Sequence, residues 1–189
     1  MTQPVAEPPS ETMTREEYYA WAAAQPRGRY ERVGGHVVAM APERLEHTRV
    51  KGNVYVELRR AVRAAGVPCQ ALPDGASIRV GEDTDYEPDA MVTCGERQPG
   101  SDLVAKEPVV VVEVLSPSTR GTDTGAKLTD YFLVPSVQHY LIVRADRPAV
   151  VHHRRDGEGG VATRIVASGP LALDPPGLTV EVEAFYVDD

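Results

Sequence analysis

The chain has 189 residues, a mass of 20.5 kDa and a formal net charge of −8, with 42% hydrophobic and 25% charged residues. Those proportions exclude a disordered or collagen-like chain, and the length suits one domain that buries about two thirds of its unfolded surface without a structural metal. No apolar run approaches the ~18 residues needed to cross a bilayer, the opening MTQPVAEPPSE carries no secretory signal, and Cys69 and Cys94 are too few for a disulfide framework, so a cytoplasmic, soluble protein is expected.

Residues 1–12, rich in Pro and Glu, read as a flexible tail, and residues 13–189 as a single domain. Thr14 to Glu17 is a capping-box pattern that opens a short helix through Tyr18, Trp21 and Ala22, ending near Pro26. Tyr30–Val33 and His36–Met40 flank a Gly34-Gly35 turn and predict a hairpin. Val50, Val54, Leu58, Ala61, Val62 and Ala65 recur at helical spacing, with Gly66 in the place of a C-terminal cap. Strands are expected at Ala76–Val80, Pro88–Cys94 and Pro108–Leu115, the last a β-branched run suited to burial on both faces. Ser116 to Thr119 reads as a turn, Ala126–Leu133 as a helix stopped by Pro135. Val137–Val143, Ala149–His153, Val161–Ala167 and Leu178–Ala184 supply further strands. The expected class is α/β (α+β): one mixed central sheet flanked by two or three helices, after an N-terminal helix and hairpin.

The charge is unevenly spread. Glu82, Asp83, Asp85, Glu87 and Asp89 form an acidic loop with no base among them. The helix holding Arg49, Lys51, Arg59, Arg60 and Arg63 gives a basic face that falls largely off the apolar stripe, and these five are the candidates for contacting the phosphates of a polyanion. A solvated helix face is the plainer reading for any one of them. A second basic stretch runs from Arg144 to Arg155.

Glu113 is the most informative residue. It interrupts PVVVVEVL with apolar neighbours on both sides in sequence, so alternation offers its carboxylate no wet face. A buried carboxylate requires a cation, a base or a proton; the alternative is a bent strand at a sheet edge, with Glu113 exposed or salt-bridged. Asp89 opens the preceding strand after Pro88 and is the best second acid. Lys127 shares a helix face with Tyr131 at i, i+4, although on spacing alone a surface pair between Asp123 and Lys127 is the better reading. His152 and His153 alternate to opposite faces of a strand, against a shared zinc site. Cys94 reads as a small buried residue without an activating base.

Pro88-Asp89, then Glu113 through Thr119, then Asp123, Lys127 and Tyr131, together with Tyr30-Glu31, Gly35, His47 and the stretch from Pro135 to Tyr140, resemble the Uma family of "putative restriction endonucleases" within the PD-(D/E)XK nuclease superfamily. The resemblance runs from about Thr14 to Val151. It implies a restriction-endonuclease-like core and a Mg²⁺- or Mn²⁺-dependent endonuclease acting on DNA, with a homodimer as the family-level expectation. Asp89 and Glu113 match the two acids, with the backbone carbonyl of Val114 as a further metal ligand. Leu115 stands where the superfamily has its lysine, and Lys127 from the following helix takes that role. His47, Glu31 and Tyr131 are accessory candidates. A non-catalytic nucleic-acid- or protein-binding module on the same fold is the alternative, favoured by Leu115 and by the net charge.

Overall fold

The computed structural model describes residues 7–115 and 124–188. The expected turn at Ser116–Thr119 and the expected partner Asp123 lie outside them. α1 (Arg15–Ala23) begins as the capping box predicts: Thr14 Oγ1 accepts the Glu17 N–H, and Glu17 Oε2 accepts the Thr14 N–H at 2.8 Å. Its buried Tyr18 donates to the Tyr30 carbonyl at 2.6 Å, tying the helix to β1 (Tyr30–Val33). β2 (His36–Ala39) returns through Gly34 and Gly35, both at positive φ (56° and 81°), as a two-residue hairpin turn requires.

That hairpin joins β4 (Ile78–Val80) and β5 (Thr84–Tyr86) in a small antiparallel sheet of order β2-β1-β5-β4. The acidic segment is therefore not all loop. Asp85 is fully buried on β5, where the Arg32 and Arg15 guanidinium groups meet it at 2.7 and 2.8 Å. Acids are depleted in strands; here two arginines drawn from outside the segment neutralise one.

The main sheet has six strands. β3 (Cys69–Pro73), β6 (Ala90–Cys94), β7 (Pro108–Leu115), β8 (His139–Arg144), β9 (Val150–Arg155) and β10 (Val161–Val166) run in the order β10-β9-β8-β7-β6-β3. Only β7 and β8 are parallel, and α3 (Thr124–Leu133) lies between them in the chain. One face, with Val110, Val112 and Val114, packs on α2 (Leu45–Ala65), on the hairpin β11 (Pro170–Leu173) and β12 (Leu178–Glu181), and on a 3₁₀ turn at Val182–Tyr186. The other, with Met91, Val111 and Tyr140, packs on α3 and the small sheet. β7 thus has both faces covered, as its unbroken run predicts.

Several details differ from expectation. β3 and β11 fall outside the expected strands; each is short and holds a proline, which suits only strands with an unpaired side, although β11 alternates exposed and buried residues. The segment expected as a strand at Leu178–Ala184 leaves the sheet at Glu181. Cys69 and Cys94 face each other in the β3–β6 register and form a disulfide; Cys94 is neither isolated nor free. β10 closes one side of the sheet as an edge strand exposed along nearly its whole length.

His152 and His153 do point to opposite faces. His153 pairs with Thr163, while His152 enters a buried chain of hydrogen bonds. The Pro175 carbonyl, 2.8 Å from His139 Nε2, can only accept, so that nitrogen carries the proton. His139 Nδ1 then accepts from His152 Nε2 at 2.8 Å, and His152 Nδ1 accepts from Arg164 Nε at 3.1 Å. Both rings are neutral in this arrangement. Burial pushes the pKa of His139 down to about 4 and that of His152 down to about 3, with neighbouring Arg154 and Arg164 acting in the same direction. Folded values below the unfolded one mean that this contribution is complete above pH 6.5 and is lost as pH falls toward 4. Replacing His152 by Gln, which keeps a donor for His139, is expected to flatten the acid-side loss by about 1 kcal/mol between pH 7 and 5, read by urea unfolding.

Candidate active site

The site lies where the first turns of α2 and α3 meet the C-terminal end of β7 and the start of the antiparallel β6. Glu113, on the α3 face of β7, is only 9% exposed. Its Oε1 accepts from Tyr131 OH at 2.7 Å and from Lys127 Nζ at 3.1 Å. The i, i+4 spacing on α3 brings those two donors to one oxygen. Among the described residues, Oε2 has no hydrogen-bond partner.

Lys127 is itself buried and also meets Glu31 Oε1 on β1 at 3.0 Å, while its ammonium lies 4.8 Å from the centre of the Tyr86 ring. Glu31 further accepts the Glu87 N–H at 2.9 Å. One ammonium therefore stands between two buried carboxylates. Burial raises the Glu113 pKa to about 7; the Lys127 charge opposes this, while the charges of Asp89 and Glu31 add to it. Tyr131, pushed well above its ordinary value by burial and by Glu113, remains a phenol donor.

Asp89 sits one residue before β6, where the ladder to β7 has just ended at the Ala90–Val112 pair. Its Oδ2 accepts the Val114 N–H at 2.7 Å, capping the unpaired end of β7. The Leu115 carbonyl is taken by Ala145, so by alternation the Val114 carbonyl turns to the same side as its N–H, toward Asp89. Oδ1 of Asp89 meets His47 Nε2 at 3.2 Å. Burial opposes a charge on His47, but the bond to Asp89 and the charges of Asp89 and Glu43 outweigh it and hold its pKa above the ordinary value.

Lys51 departs from expectation. It is 9% exposed and belongs to the site rather than to the outer face of α2. Its Nζ lies 2.5 Å from Glu43, 3.0 Å from Asp74 Oδ2 and 3.8 Å from Asp89 Oδ1. The helical pattern carried the signal: at 100° per residue, Lys51 falls between the directions of Leu58 and Val62, inside the apolar stripe. Arg29 completes the network, pairing with Glu43 at 2.9 Å, Asp74 at 2.7 Å and Glu87 at 2.6 Å. Glu43, Asp74 and Arg29 have no periodic or motif signature and meet only through the tertiary fold.

Of the other expected contacts, Arg59, Arg60 and Arg63 are exposed on the outer face of α2, with Arg60 held by Glu57. Arg49, also exposed, pairs with Asp188 at 2.7 Å.

Six carboxylates thus surround this end of the sheet (Glu31, Glu43, Asp74, Glu87, Asp89 and Glu113) against the three cations Arg29, Lys51 and Lys127. The surplus of negative charge, an all-oxygen donor set and a Glu113 oxygen with no hydrogen-bond partner among the described residues fit a hard divalent ion. Asp89, Glu113 Oε2 and the Val114 carbonyl would hold it. Glu43, His47 and Asp89 form a second group whose ligand atoms lie within 4.8 Å of one another. A cavity of about 840 Å³ beside β3 and the 95–107 loop is lined by none of these residues.

The family model described as "Uma2: Putative restriction endonuclease" matches residues 15–185. An uncharacterized protein of Synechocystis sp. (slr1290) is 29% identical over 180 residues, covering 94% of this chain and 93% of its own. The crystal structure of a "putative nuclease belonging to DUF820" from Anabaena variabilis superposes with a TM-score of 0.69 at 14% identity, over 92% of this chain and 97% of that one. At that identity the likeness is one of fold. Among the described residues no helix is long and apolar enough to cross a membrane.

Proposed function

The chain belongs to the Uma2 family of "putative restriction endonucleases", and from that membership we propose that it is a Mg²⁺- or Mn²⁺-dependent endonuclease hydrolysing DNA phosphodiester bonds. One observation carries the reading: a buried Glu113, with one oxygen held by Lys127 and Tyr131 and the other without a hydrogen-bond partner among the described residues, lies at the strand end where Asp89 is also buried. A hard divalent ion bound to Asp89, Glu113 and the Val114 carbonyl would supply a water of lowered pKa and counter-charge for phosphate oxygens.

The protein's own groups do the rest. The Val114 N–H and His47 fix the Asp89 carboxylate in one orientation. Tyr131 and Lys127 fix Glu113 so that Oε2 is the oxygen on offer. Lys127 is the cation that orients the attacking water or steadies the phosphate. With Leu115 in the usual lysine position, its ammonium comes from α3, and its distance of 3.1 Å from Glu113 supports the exchange. Arg59, Arg60 and Arg63 lie about 18–24 Å along α2 from His47 at 1.5 Å per residue, a span of roughly five to seven base pairs of duplex. With Arg49, they are the phosphate contacts proposed for DNA. A homodimer would bring two sites to two strands.

The test is plasmid nicking with Mn²⁺. Asp89→Asn keeps an acceptor for the Val114 N–H, so the variant is expected to fold, with nicking reduced at least 100-fold. Undiminished nicking by that variant would sink the reading. The absent strand lysine favours a binding module instead, and that alternative predicts DNA binding sensitive to Arg59, Arg60 and Arg63 charge reversal but indifferent to Asp89→Asn.

A further inference from the structure

The ammonium of Lys51 is drawn into the same end of the site that Glu43, His47 and Asp89 surround. Those three offer ligand atoms mutually within 4.8 Å, a donor set able to hold a divalent ion. Lys51 Nζ reaches into this group: both Glu43 oxygens are 2.5 Å away and Asp89 Oδ1 is 3.8 Å away, with Asp74 as an added acid at 3.0 Å. A lysine flanked by three carboxylates and only 9% exposed is not a solvated surface charge.

Asp89 links this group to the other. Its Oδ1 faces His47 and Lys51, while Oδ2 faces the end of β7 and hence the side of Glu113 and the Val114 carbonyl. Two adjoining cation positions sharing one aspartate is the layout of a two-metal phosphodiesterase centre, in which the ions sit about 3.5–4 Å apart. Here one of the two already has a cation that is covalently part of the chain.

We propose that the Lys51 ammonium is a built-in cation filling the second of two adjoining positions at the site, so that the wild-type chain takes a single divalent ion. The inference rests on the metal-dependent reading above and deepens it: Lys51 is a positioning residue that balances Glu43 and Asp74 and keeps a second ion out. An ammonium has no empty orbital, so it supplies charge but no activated water at that position.

The test counts Mn²⁺ without DNA or turnover. Calorimetric titration at pH 8, with bound Mn²⁺ checked by paramagnetic resonance, is expected to give one ion per chain for the wild type and two for Lys51→Ala. The double variant Lys51→Ala/His47→Ala is expected to return to one. Arg29, which bridges Glu43 and Asp74, remains to balance the single variant. Should Lys51→Ala not fold, Lys51→Gln keeps an N–H donor for Glu43 and carries the same expected count of two. Two ions in the wild type, or one in a folded Lys51 variant, overturns the inference and leaves the nuclease reading standing. No ion in the wild type overturns both.

Discussion

Glu113→Gln is expected to lose divalent-ion binding and, in the same step, to make the metal-free protein more stable at high pH. The Glu113 carboxyl has a folded pKa of about 7, raised chiefly by burial, against an ordinary value of 4.5. A raised folded value favours the folded state below pH 4.5, and that advantage is lost as pH rises through 7, where the buried group must ionise. Glutamine has nearly the same shape and never ionises. Its gain at pH 8.5 is on the order of 1–3 kcal/mol, or roughly 3–8 °C in melting temperature, and it vanishes near pH 4.5. Lys127 keeps Glu31 as a partner in the variant, so no cation is stranded. Thermal melts in EDTA at pH 5 and 8.5 read the difference. Lower stability than wild type at both pH values would mean that the bonds from Lys127 and Tyr131 outweigh the burial of charge. In the wild type, Mn²⁺ affinity is expected to rise about tenfold per pH unit up to pH 7, because the ion competes with the Glu113 proton.

Lys127→Met is expected to act with the opposite sign at the same place. The ammonium is the charge set between Glu31 and Glu113, both buried, and removing it takes away the cation that both carboxylates share. Breaking a buried pair in this way costs about 3–5 kcal/mol. The loss should be largest at pH 8.5 and shrink at pH 5, where Glu113 takes up a proton. Adding Glu113→Gln should restore much of it, since the two residues are in contact and their effects are not additive. Urea unfolding of the single and double variants reads this. A Lys127→Met protein as stable as wild type at pH 8.5 would show that the ammonium does not balance the carboxylates.

Much of this site was legible because its residues break local rules. Glu113 violates an apolar strand, and a buried charge has to be answered; Lys127 and Tyr131 answer it from α3, but spacing alone favoured a surface pair for Lys127, and only the family resemblance pointed it at Glu113. Asp89 was visible as an acid at a strand start and, through Pro88-Asp89, as the match to the family's first acid. The fold was legible wherever periodicity was strong, as in α2 and β7. What stayed hidden depends on neighbours remote in sequence. Asp85 looks like a loop acid until Arg15 and Arg32 reach it. Glu43, Asp74 and Arg29 are ordinary surface residue types that become a network only when four elements converge. Lys51 was the exception: its place within the stripe of Val54, Leu58 and Val62 was in the helical pattern, masked by the habit of assigning lysines to water. The His139–His152 chain depends on the register of β8 against β9, which residue spacing does not encode.

The exposed edge at β10 bears on self-association. An unpaired strand bearing Val161 and Ile165, the latter 74% exposed, would ordinarily invite a second copy to continue the sheet. Arg164 occupies the middle of that strand, and Arg154 and Arg155 lie on the neighbouring strand opposite Ala162 and Val161. Antiparallel docking of two such edges sets one copy's Arg164 beside or diagonal to the other's, so the approach is repulsive at the centre of the seam. The edge thus carries its own guard against aggregation, and any twofold assembly of this chain is expected to be built on another face.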